Sequence, residues 1–169
     1  MMHNHNTRKL SVFVTSKLSG EKITPVDHKE LQPKSISEQS PSVTIHRDKV
    51  KQEVLGFGGA FTEASASVYK QCPQEKREEI IKAYFDHKNG HGYSFCRTHI
   101  NSCDFSLGNY AYCETNGDSQ LNNFSIEHDK TMLIPFIKDA LKESTIPLHI
   151  LASPWSPPAW MKTNGEMNN

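Results

Sequence analysis

Pro147-Leu148-His149-Ile150-Leu151-Ala152-Ser153, followed at once by Pro154-Trp155-Ser156-Pro157-Pro158-Ala159-Trp160, is the stretch on which the fold turns. Its first half is a short apolar run and reads as a buried strand. Its second half cannot continue that strand. Proline has no N–H for a ladder and fixes φ, so the strand empties into a stiff loop carrying two tryptophans. Working backwards, Ser125 opens an amphipathic helix whose core stripe is Leu133, Ile137, Ala140 and Leu141. A loop rich in Asn, Ser, Asp and Tyr, residues 101–124, precedes it, and before that lies a second strand, Tyr93 to Ile100. Pro73 sits at the start of another helix, with Glu75, Glu78 and Glu79 early and Ile80, Ile81, Tyr84 and Phe85 at helical spacing. Asn89-Gly90 ends it. A small-residue helix, Glu63 to Tyr69, and an apolar strand, Val54 to Phe61, complete the run.

From Val54 onward the order is therefore strand, helix, strand, helix, strand, the pattern of parallel βαβ units in an α/β fold. An open doubly wound sheet and the opening of a (β/α)8 barrel both fit. Each places ligands at the C-terminal ends of its strands. The residues to watch are then Arg97 to Asp104 after one strand and Ser153 to Trp160 after the next.

Residues 1–50 differ in character from 51–169. Residues 10–15 and 43–46 read as short strands, and the polar span 16–41, with Pro25, Pro33 and Pro41, reads as a loop or linker. A lone pair of strands is marginal in water, so these need further sheet partners.

Lys+Arg and Asp+Glu are equal in number, giving a formal net charge of zero. That excludes a nucleic-acid or anionic-membrane partner held by bulk charge. No apolar run is long enough to span a bilayer, so no integral membrane segment is expected. The four cysteines, Cys72, Cys96, Cys103 and Cys113, form no C-x-x-C pair. The first residues, Met1 to Lys9, lack the apolar core of a signal peptide. Together these point to a cytoplasmic protein with free thiols, or a secreted or periplasmic one if a leader precedes Met1.

Three motifs invite chemistry. The glycines at 56, 58 and 59 miss the dinucleotide fingerprint, because Phe61 stands where its last glycine belongs. They serve better as a tight backbone turn. His99 with Cys103, and His87 with His91, have i, i+4 spacing but fall at a strand end and in a glycine-containing turn. No metal site and no cofactor are called for. The Pro-Trp loop is the strongest of the three. Its tryptophans could merely pack a rim, but an indole also offers an apolar face and an N–H donor to a sugar, with Arg97 and Asp104 nearby as charged partners.

Gly56-Phe57-Gly58-Gly59-Ala60-Phe61-Thr62-Glu63-Ala64, Arg97-Thr98-His99-Ile100-Asn101-Ser102-Cys103-Asp104-Phe105-Ser106 and Leu151 to Gly165 occur in the order and spacing of three strand-end segments of one family. The chain resembles the glucosylceramidases of glycoside hydrolase family 30, in a wording nearer bacterial than animal members. The resemblance implies the first three βα units of a (β/α)8 TIM barrel, preceded by strands of a side β-sandwich. It implies retaining hydrolysis of a β-glucoside or glycolipid such as glucosylceramide, through two glutamates expected beyond Asn169. By position, Arg97, Asp104, Trp155 and Trp160 carry over as substrate-binding residues. Asp104 and Trp155 would hold hydroxyls of the non-reducing glucose, and Arg97 would support the nucleophile's surroundings. Cys96 replaces an expected glycine and should face away from the site. Glu63, Asp104, Glu114 and Glu166 are assigned structural or substrate-positioning roles, so residues 1–169 alone should be inactive. A β-1,6-glucanase or xylanase of the same family, and an inactive vestigial or sugar-binding fragment, are the alternatives.

Overall fold

The computed structural model describes residues 9–30 and 43–168. The chain divides into two compact units, Met1–Val50 and Lys51–Asn169.

In the first unit, β1 (Lys9–Val14) pairs antiparallel with β2 (Thr24–Glu30). This corrects two expectations. Part of the span read as linker is a strand, and Val43 to His46, read as a strand, is exposed and unladdered. The sequence TPVDHKE hides β2 behind a proline and charged residues, yet an edge strand tolerates both. The rest of that expected linker, 31–41, and the N-terminal residues 1–8 lie outside the described residues.

The second unit is a three-stranded parallel sheet in the order β3 (Ala60–Phe61), β4 (Phe95–Ile100), β5 (His149–Pro154). Consecutive strands are neighbours, which is the order in which a (β/α)8 barrel opens. The strand expected over 54–61 shrinks to two residues. The glycine run is the reason: it presses against β4 so closely that a Cβ on Gly58 would stand 2.2 Å from the Phe95 carbonyl oxygen. Phe57 O still accepts from Ser94 N and Phe95 N, and Gly59 O from Arg97 N, so the segment runs alongside β4 without regular strand geometry.

Thr62 caps α1 (Glu63–Gln71) in a reciprocal box with Ser65: each side chain bonds the other residue's backbone N–H. Pro73 stands at the N-cap of α2 (Gln74–Phe85), which ends at Phe85, four residues before the expected stop at Asn89, with Asp86 as its C-cap. The single helix expected from Ser125 is two, α3 (Glu127–Lys130) and α4 (Leu133–Glu143). Pro135 explains the break. A continuous helix would drive its ring into the Thr131 carbonyl, which here accepts from Lys70 Nζ at 3.3 Å instead. The restart shifts the buried stripe. Leu133 and Ala140 are buried and Ile137 half-buried as expected, but Leu141 is exposed and Phe136 packs in.

The helices cover one face of the sheet. Phe61 stacks on Phe85 with centroids 5.6 Å apart and meets Phe136 edge-on at 5.2 Å. Ala66, Ile81, Cys96 and Leu133 close the core around them. Cys96 thus points into the helical layer, away from the strand-end loops, and its burial raises the thiol's pKa. The four cysteines are free. No helix of the described residues is long and apolar enough to cross a membrane.

Candidate functional site

The loops after β4 and β5 meet above the C-terminal edge of the sheet. Beyond β4 the chain makes a closed loop: Ser102 N donates to Tyr110 O at 3.0 Å, and Tyr110 N to Ser102 Oγ at 3.1 Å. Asp104 stands exposed on that loop. The turn carrying it is clipped to α1 from both sides, by Ala64 N to Phe105 O at 3.0 Å and by Leu107 N to Glu63 Oε2 at 2.8 Å.

Glu63, only 2% exposed, gives its other carboxylate oxygen to His128 Nε2 at 2.5 Å. His128 stacks on Tyr110 at 3.7 Å, and the hydroxyls of Tyr110 and Tyr112 both donate to buried Asp129. Burial, and then Asp129, push both phenols well above their ordinary pKa. This network is a frame for the loop. With both oxygens engaged, Glu63 acts as a structural carboxylate. Nothing in the sequence pattern marks His128 or Asp129 for this work; Glu63 stands out in the sequence only as a carboxylate close to a strand end.

Asp104 and Trp155 line one cavity of about 430 Å³, together with Ser102, Cys103, Asn109 and Ser156. Asp104 is the single carboxylate among its lining residues. Arg97 reaches the neighbouring hollow, also bordered by Trp155, where its guanidinium carbon lies 5.1 Å from the indole centroid and Nη2 donates to Ser153 Oγ at 3.2 Å. Trp155 remains 45% exposed, so an indole surface held in place by a cation faces solvent beside a free carboxylate. Three of the four expected residues, Arg97, Asp104 and Trp155, are therefore brought together. Trp160 is not. Its Nε1 donates to Cys113 O at 2.9 Å, bracing one loop against the other, and it borders neither hollow.

Glu114 is exposed and accepts from Ala111 N, within its own turn, and Glu166 is exposed on the last loop. His99 donates from Nδ1 to Asn101 O at 2.6 Å, while its Nε2 is buried without a partner among the described residues. No group of three or more His, Cys, Asp or Glu side chains among the described residues could hold a metal ion. The arrangement can grip a neutral polyhydroxylated ring, with hydroxyls donating to Asp104 and an apolar face on Trp155. It offers no second carboxylate across the cavity for acid–base chemistry.

Residues 54–169 match the glycosyl hydrolase family 30 TIM-barrel domain. The chain is 42% identical over 127 residues to the lysosomal acid glucosylceramidase of Mus musculus, covering 75% of this chain and 24% of that protein. Among solved structures it is similar to SrfJ from Salmonella typhimurium, with 43% identity and a TM-score of 0.65 over 69% of this chain and 26% of that one. The endo-β1,6-glucanase BT3312 superposes with a TM-score of 0.67 at 27% identity, over 84% of this chain and 29% of its own. The chain thus spans 24% to 29% of the length of these relatives. The chain belongs to glycosyl hydrolase family 30, and its second unit is the opening of that family's TIM-barrel domain.

Proposed function

We propose that this chain supplies the glucose-gripping side of a retaining β-glucosidase acting on glucosylceramide or a related β-glucoside. The observation that carries the reading is the single cavity bordered by Asp104 and Trp155, beside an Arg97 already fixed against the indole. The likeness to a glucosylceramidase over the segments bearing those residues supports it. Asp104 accepts hydroxyl hydrogen bonds from the non-reducing sugar, and the indole covers its apolar C–H face. Arg97 contributes positive charge under the reacting centre. Retention needs two carboxyl groups about 5–5.5 Å apart across the scissile bond. Glu63 is committed to His128 and Leu107, and Asp104 is the single carboxylate among the cavity's lining residues, so in this reading the pair is contributed from outside residues 1–169. Met1–Val50 is assigned to a side β-sandwich. A β-1,6-glucan substrate is the second reading, favoured by the likeness to the endo-β1,6-glucanase.

The test is kinetic, in the protein as its gene encodes it, extended if need be by grafting residues 51–169 onto the remaining barrel of SrfJ. A hydrogen bond to a charged acceptor is worth about 1.5–3 kcal/mol. Asp104→Ala should therefore lower kcat/KM about ten- to two-hundredfold, at about 1.4 kcal/mol per factor of ten. Trp155→Phe should lose less than Trp155→Ala, and Glu114→Ala should behave as wild type. If Trp155 only packs the rim, Trp155→Ala lowers the melting temperature and leaves the kinetics intact. Unchanged kinetics in Asp104→Ala would remove the subsite.

A further inference from the structure

We propose that Asn101 is a positioning residue that ties the Asp104 loop to the Trp155 loop and so sets the width of the sugar cleft. The inference rests on the glucose-subsite reading above.

Asn101 is the first residue past the β4–β5 ladder, whose last pair is Ile100 with Pro154. From there the two strands have no shared pairing to hold their loops in register. Asn101 replaces it. Its Nδ2 donates across to Ser156 O at 2.9 Å, and its Oδ1 accepts from Tyr112 N at 3.0 Å, at the far end of its own loop. Trp155 is consequently caught between a ladder residue, Pro154, and the carbonyl held by Asn101. Asp104 follows three residues after Asn101 on the other side of the same cavity.

Three further facts show how narrowly the position is specified. Its φ is 61°, in the left-handed region that residues other than glycine rarely enter and asparagine enters several-fold more often than most. Its side chain is buried, with the residue 8% exposed, so either amide atom left unpaired would carry a desolvation penalty. Its backbone oxygen takes the His99 Nδ1 bond, and because a carbonyl only accepts, that nitrogen must carry the proton. Glycine would suit the backbone but forfeit both amide bonds. Aspartate would keep the bond from Tyr112 N, lose the donor to Ser156 and set a charge against that carbonyl. Asparagine meets every condition.

The experiment is a binding titration of the protein as its gene encodes it with 1,5-anhydro-D-glucitol, a glucose ring with no leaving group. The indole N–H resonance of Trp155 reports occupancy. Breaking the cross-loop bond should raise Kd about fivefold in Asn101→Asp, the effect of one hydrogen bond. Asp104→Ala should raise it further still. Because Asn101 acts through Asp104, adding Asn101→Asp to Asp104→Ala should cost less than it does alone, a coupling that general loss of stability does not produce. Should Asn101→Asp fold poorly, Asn101→Gly keeps the left-handed backbone and adds no charge, and should show at least the same weakening, measured below its own melting temperature. Wild-type affinity in Asn101→Gly or Asn101→Asp, with weakened binding in Asp104→Ala, overturns the inference and leaves the subsite standing. Wild-type affinity in Asp104→Ala, or no saturable shift in the parent protein, overturns the subsite and this inference with it.

Discussion

Alternate residues of the same strands meet opposite environments. On β4, Cys96 is 3% exposed beneath the helices, whereas its neighbour Phe95 is 39% exposed on the other face. On β5, Ile150 packs against the helical core, while Leu151 is 55% exposed. β3 repeats the contrast with buried Phe61 and exposed Ala60. Parallel sheets ordinarily bury both faces. The helices cover this face over β3, β4 and the start of β5, leaving Ala152 exposed, and the buried apolar cluster lies there. The opposite face carries Arg97 and Ser153 and becomes the interior when such a sheet closes into a barrel. The buried apolar side chains and the polar pair Arg97 and Ser153 are thus separated by the two-residue period of a strand.

The comparison is broken most decisively by activity. A polypeptide of residues 1–169 should not hydrolyse an aryl β-glucoside above the uncatalysed rate, because Asp104 is the single carboxylate among the residues lining its cavity and a pair is required. Turnover that co-purifies with the polypeptide and vanishes in Asp104→Ala would show that chemistry resides here after all. The next largest effect belongs to the covered face. Phe61→Ala should cost about 3–5 kcal/mol by denaturant unfolding, since Phe85 and Phe136 cannot close the gap.

Alkaline pH probes the frame under the loop. Burial and Asp129 raise the pKa of Tyr110 and Tyr112 in the fold, while unfolded tyrosines ionise near about 10. Below that pH the contribution is fully present. Above it the unfolded chain releases protons that the native state retains, so stability should fall as pH rises. Tyr110→Phe should start less stable by roughly 1–3 kcal/mol, from the bond lost at Asp129, yet decline less steeply above about pH 10. Parallel slopes would show that these phenols do not control the alkaline limb. The smallest effect is expected on the open face, where Leu151→Ala should change the stability of residues 1–169 by no more than about 0.5 kcal/mol. A loss near that of Phe61→Ala would mean that something covers this face.

How much of this was legible depended on whether a signal was local. The βαβ order, the helix near Pro73 and the cluster of Arg97, Asp104 and Trp155 follow from periodicity, punctuation and family-specific motifs in one stretch of chain. β2 does not show in the sequence because its partner, not its composition, makes it a strand, and the alternation of Val43 to His46 misleads because it has no ladder to join. Pro135 is a local signal for the division of the helix after Ser125, through its steric demand on Thr131. Trp160 could not have been separated from Trp155 by inspection. The hydrogen bond that occupies its indole N–H runs to the carbonyl of Cys113, forty-seven positions away. Asn101 offered a hint, an asparagine directly after a strand, but only the fold shows which two loops its amide joins.

The close approach of Gly58 to β4 bears on the order of assembly. β4 and β5 share six paired positions, whereas β3 and β4 share two. The β4–α4–β5 unit therefore has much the larger interface with which to form a folding nucleus, and β3 docks against it afterwards. Gly58 is what lets the incoming segment settle against a surface already formed, since any side chain there would strike the Phe95 carbonyl and the Cys96 sulfur. Gly58→Ala should then leave the folding rate almost unchanged and appear in the unfolding rate, the kinetic mark of a contact made after the barrier has been crossed.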